Sequence, residues 1–135
     1  MTILGFVAIS NSAHAADRIY TCTILNGGHA GYNLNVINSA SGKQKVNLLA
    51  SMNTLVTYTV AESGPCETAA LCIQGESKKK IEGKSMKISL LISNHTIQQD
   101  GKSGLAASAS FDSLDLGNPP GFQHLHEDNV DALCK

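Results

Sequence analysis

The chain has 135 residues, 42% of them hydrophobic and 16% charged, with a formal net charge of -1. That length suits one domain, and that composition excludes a disordered chain, which would be poorer in apolar residues and richer in net charge. The near-neutral balance leaves no broad field for recruiting nucleic acid or an anionic membrane surface.

At the amino-terminal end, residues 3–9 form a short apolar run, Ile-Leu-Gly-Phe-Val-Ala-Ile, followed by Ser10-Asn11-Ser12 and then Ala13-His14-Ala15. The small residues Ala13 and Ala15 match the cleavage pattern of a secretory leader, so residues 1–15 are expected to be a signal peptide, with a single β-rich domain over residues 16–135. The run is too short to span a bilayer as a helix, which needs about 20 residues, so no membrane span is expected. No Lys or Arg precedes Arg18, which suggests a leader truncated at its start.

Four cysteines follow: Cys22, Cys66, Cys72 and Cys134. An even count in a short exported chain implies two disulfides, and four cysteines allow three pairings. Cys66 and Cys72 bracket a short loop that could close locally, which would leave Cys22 to join Cys134 across the whole domain; spacing alone leaves the connectivity open. Domain termini commonly lie close together, so that bridge is geometrically reasonable. Zinc is a poor competitor here, because the chain holds no C-x-x-C pair.

Between the cysteines the dominant signal is alternation of apolar and polar residues. Tyr20, Cys22 and Ile24, then Tyr32, Leu34 and Val36, flank the turn signal Asn26-Gly27-Gly28 and predict a first hairpin. Ser39–Lys43 is the next turn. Val46, Leu48 and Ala50 predict a strand that breaks near Ser51-Met52, because a run through Val60 is too long for one strand. Val56, Tyr58 and Val60 predict another, ended at Glu62-Ser63-Gly64-Pro65. Met86, Ile88, Leu90 and Ile92 give the clearest strand, and Asn94–Gly104 is expected as a polar connection. Leu105, Ala107, Ala109 and Phe111 alternate again. Glu127–Leu133, with its acidic start, suggests a short C-terminal helix carrying Cys134 back toward Cys22.

Seven or eight short strands without crossover helices predict an all-β fold, either an antiparallel sandwich or a small barrel, and exclude a parallel α/β sheet. Which of the two depends on register, which alternation alone does not reveal. The chain has no tryptophan. It therefore lacks the Gly-x-Trp of lipocalin-type barrels and the Cys…Trp…Cys of immunoglobulin domains. Its three Tyr and three Phe are too few for the aromatic girdles of an outer-membrane barrel.

Candidate chemistry is sparse. In an extended segment His124 and His126 share a face and could hold a divalent ion, with Glu127 or Asp128 adding a carboxylate and His29 or His95 completing the shell. No Gly-x-Ser-x-Gly elbow is present, and Gly101-Lys102-Ser103-Gly104 lacks the upstream glycine of a phosphate loop. Lys78, Lys79, Lys80, Lys84 and Lys87 outnumber Glu76 and Glu82, which suits a solvated strand edge. Asn94-His95-Thr96 is a glycosylation sequon, expected in an exposed loop.

These features predict a non-catalytic binding module working outside the cytoplasm, periplasmic or secreted, on a protein or small-ligand partner and without a cofactor. The alternatives are a metal-binding protein built on His124 and His126, or an inhibitor presenting the Cys66–Cys72 loop, where rigidity would save ordering entropy on binding. An enclosed apolar cavity would favour a small ligand, and a packed interior would favour surface recognition.

Overall fold

A computed structural model describes residues 17–39, 42–66, 69–81, 83–114 and 124–135. The expected leader lies outside the described residues. Eight antiparallel strands follow one another: β1 (Asp17–Ile24), β2 (Asn33–Asn38), β3 (Gln44–Ala50), β4 (Asn53–Cys66), β5 (Ala69–Ile81), β6 (Lys84–Gln99), β7 (Lys102–Leu114) and β8 (His124–Cys134). Each pairs with the next in the chain and β8 returns to β1, so the sheet closes into an up-and-down barrel rather than a sandwich. Among the described residues no helix is long and apolar enough to cross a membrane.

The alternation decides what fills the barrel. Leu34, Val36, Val46, Leu48, Tyr58, Leu90, Ile92 and Phe111 are all fully buried. An eight-stranded barrel is just wide enough for such side chains to fill. The intervening residues face outward and pair across strands, as Thr23 Oγ1 does with Asn33 Oδ1 (3.0 Å) and Thr57 Oγ1 with Asn47 Oδ1 (2.9 Å). Apolar-in and polar-out is the reverse of what a barrel needs in lipid. Tyr58 spans the interior from β4 to β7, where its hydroxyl donates to the Asp112 carbonyl. Burial, with the Asp112 carboxylate nearby, pushes the Tyr58 phenol well above its ordinary pKa.

The barrel seals where its first and last strands meet. Cys22 lies opposite Cys134, Thr23 opposite Leu133 and Ile24 opposite Ala132. Thr21 and Lys135 add two backbone hydrogen bonds, of 3.0 and 2.9 Å. A disulfide joins Cys22 to Cys134, and a second joins Cys66 to Cys72 across the β4–β5 hairpin. Both bridges fit an oxidising compartment.

Three local expectations are corrected. Glu127–Leu133 is strand, not helix, because β8 is needed to close the sheet between β7 and β1. The signals at Glu62–Pro65 do not end β4, which runs on to Cys66. Pro65 sits where the register slips between Gly64 and Cys66, and at a bulge its missing N–H costs no ladder bond. The polar stretch after Asn94 is not a loop but the ends of β6 and β7, joined at Asp100-Gly101. The sequon residue Asn94 is exposed, on a bulge between Ile92 and Thr96.

Candidate functional site

One end of the barrel is plugged by the loop between β1 and β2. Gly27, at φ 83°, lies so close to β8 that an added Cβ would fall 2.3 Å from Glu127 Oε1 and 2.9 Å from Val130. That turn carries His29 into the interior, where it is 1% exposed and meets Tyr32 and Phe111 edge-on. Its Nε2 is 3.1 Å from Ser113 Oγ. Its Nδ1 is 3.4 Å from Glu127 Oε2, close enough for electrostatic contact but without hydrogen-bond geometry. The Gly28 N–H donates to Glu127 Oε1 (3.2 Å). Asn26 clasps Asp131, donating to its carboxylate (3.0 Å) and accepting from its N–H (2.9 Å).

Ser113, His29 and Glu127 thus stand in the nucleophile–base–acid order of a hydrolase triad. Ser113 is 0% exposed, so no substrate carbon reaches its oxygen, and the trio works as an internal brace.

A bulge in β8 decides which way the expected metal ligands point. Ala109 pairs with Val130 but Phe111 pairs with Glu127, so β8 carries one extra residue. Asn129 takes it up at φ 51°, with its N–H on Ser110 Oγ (3.0 Å). The slip turns Glu127 inward and His126 outward. Glu127 therefore serves His29, while the exposed His126 has Nδ1 2.7 Å from Asp112 Oδ1 on the outer face. His124 begins β8, and its side chain lies outside the described residues. His95 is exposed on β6. Among the described residues no three His, Cys, Asp or Glu side chains gather as metal ligands would. The tip of the Cys66–Cys72 loop, residues 67–68, and the stretch 115–123 also lie outside them.

The other feature is a gap in the wall, which sequence reasoning missed. The β4–β5 ladder runs from Cys66↔Ala69 only as far as Thr59↔Glu76. Continued register would set Tyr58 opposite Ser77 and so on up both strands. Instead, among the described residues, 53–58 make ladder pairs with β3 alone, Ser77, Lys78 and Lys79 make none, and only Lys80 and Ile81 pair again, with β6. Ser77 is the local cause. Between Glu76↔Lys87 and Lys80↔Ser85 the strand carries surplus residues. The buried Ser77 hydroxyl accepts from the Met86 N–H (3.0 Å) and donates to the Lys79 carbonyl (2.5 Å). That draws β5 toward β6 and away from β4. Just before the gap the strands pinch: a Cβ on Gly75 would lie 2.6 Å from the Thr59 carbonyl oxygen.

The resulting slot has a volume of about 330 Å³ and is lined by Thr54, Leu55, Val56 and Thr57 from one edge and Ser77, Lys78 and Lys79 from the other, with Lys45 beside and Met86 beneath. Met52, 90% exposed, sits on the turn that starts the β4 edge. Comparison of the chain with family models, curated proteins and solved structures finds no match.

Proposed function

We propose that this protein is a non-catalytic binding module of an extracytoplasmic space, periplasmic or secreted, that recognises a partner with its outer surface. The observation that carries the reading is the packed interior together with the parted β4 and β5: side chains fill the lumen, while the wall offers backbone edges for contact. The two disulfides and the leader-like first 15 residues support the compartment, and sequencing the exported product should find Ala16 as its first residue.

Photo-crosslinking tests the module reading. A reactive residue is placed at the exposed Thr57 in the slot, or at the half-buried Ser108 on the outer face of β7. A saturable crosslink competed by unlabelled protein is expected from Thr57. Absence of saturable crosslinks from both positions, or a small molecule recovered from inside the barrel, overturns the reading.

A second reading has its own observation. Asp112 holds Nδ1 of His126 and so turns the other ring nitrogen outward, the way a carboxylate commonly orients a metal-bound histidine. Zinc or copper added to the protein would then raise its melting temperature, and His126→Ala would abolish the rise. An unchanged melting temperature removes this reading.

A further inference from the structure

We propose that the slot between β4 and β5 takes an acidic, extended segment of a partner protein as an added strand. The inference deepens the binding-module reading and rests on it.

Three observations converge on that occupant. The first is hydrogen bonding. Among the described residues, 53–58 make no ladder pair on the β5 side and Ser77, Lys78 and Lys79 make none at all, and the two segments face one slot. Exposed edges are templates for strand addition, because each unpaired N–H and C=O seeks a partner. Six residues of edge span about 20 Å at 3.3 Å per residue, enough for a short peptide strand.

The second observation is charge. Lys45, Lys78 and Lys79 line the slot, and Lys43, Lys80 and Glu76 border the adjoining groove. The chain as a whole is close to neutral, so this excess is local. An acidic strand would set carboxylates against the ammonium groups and gain both attraction and a faster encounter.

The third is apolar surface. Met52 projects from the turn beside the edge, while Leu55, Val56 and Met86 form the slot's floor. A peptide alternating acidic and apolar side chains would place one set on the lysines and the other on this floor. A nucleic acid would satisfy the lysines but not the backbone edges or the floor, so peptide is the favoured occupant.

The test uses the whole oxidised protein and a capped peptide of alternating glutamate and valine, read by amide hydrogen exchange and by fluorescence titration. Controls replace each glutamate by lysine, replace each valine by proline, or substitute a thymidine oligonucleotide. Expected is slowed exchange within residues 53–58 and 77–79, affinity roughly tenfold weaker in the K78E/K79E double variant, and loss of binding with the lysine and proline peptides. No slowed exchange at about millimolar peptide, equal binding by the proline peptide, or tighter binding by the oligonucleotide overturns the proposal. A crosslink from Ser108 with no peptide bound at the slot would sink this inference while leaving the binding-module reading standing.

Discussion

The barrel has two seams of contrasting origin, and it treats them oppositely. Strands β1 and β8 lie at opposite ends of the sequence, yet they and the residues flanking them are joined by three register pairs, three further backbone hydrogen bonds and a disulfide. Strands β4 and β5 are neighbours in the chain, yet they separate after Thr59↔Glu76. Chain proximity does not decide where a sheet is sealed. A covalent clamp and a clasping loop seal the distant pair, while one buried hydroxyl on β5 diverts the near pair. A closed barrel loses its exposed edges, so the reopened edge is the part of the wall left for contact.

Breaking the seam should have the largest effect. By loop entropy, the Cys22→Ser/Cys134→Ser double variant should lose about 4 to 5 kcal/mol against urea, and the Cys66→Ser/Cys72→Ser variant only about 2, because its loop is far shorter. Similar losses from both would mean that the two ends stay together without sulfur. His29→Ala should cost about 3 kcal/mol, since it empties a buried site against Phe111 and strips Ser113 and Glu127 of a neighbour. Denaturant melts of the variant measure it.

On the slot side, Ser77→Ala should cost about 1 to 2 kcal/mol by leaving the buried Met86 N–H without its acceptor. Hydrogen exchange should change at residues 53–58 more than at the seam. Equal changes at both would break the contrast. Tyr58 supplies a pH test. Its phenol is held protonated in the folded barrel above the ordinary value of 10.0, so its contribution is intact below pH 10 and declines as pH rises past it. Stability should fall by about 1.4 kcal/mol per pH unit more steeply in the native protein than in Tyr58→Phe. Smallest of all, K78E/K79E should change stability by no more than about 0.5 kcal/mol, because both lysines are exposed and work on a partner rather than on the fold.

The faces of the strands were legible because alternation reports inward and outward directly, as at Met86, Ile88, Leu90 and Ile92. Spacing suggested both disulfide pairs among the three pairings it left open. Register was not legible, and three readings suffered for it. Around Asn129 the extra residue breaks the period of two and sets the inward-facing Glu127 and Val130 three apart, a helix-like spacing. The same slip exchanges the faces of His126 and Glu127, turning the carboxylate inward and the imidazole outward. The slot depends on where a ladder stops, and the signal that could have hinted at it, a polar Ser77 at an inward position beside Lys78 and Lys79, reads in isolation as an ordinary strand end. His29 was equally hidden: a histidine in a glycine turn resembles a solvated one until β8 is laid across it.

The Cys22–Cys134 bond also makes everything between those residues a covalent ring. A protease that cuts once at the Ser51-Met52 or Asp100-Gly101 turn would release no fragment. The nicked molecule would run as a single band until a reductant opened it, and pulling on the chain ends would peel β1 only as far as Cys22 before the load fell on sulfur.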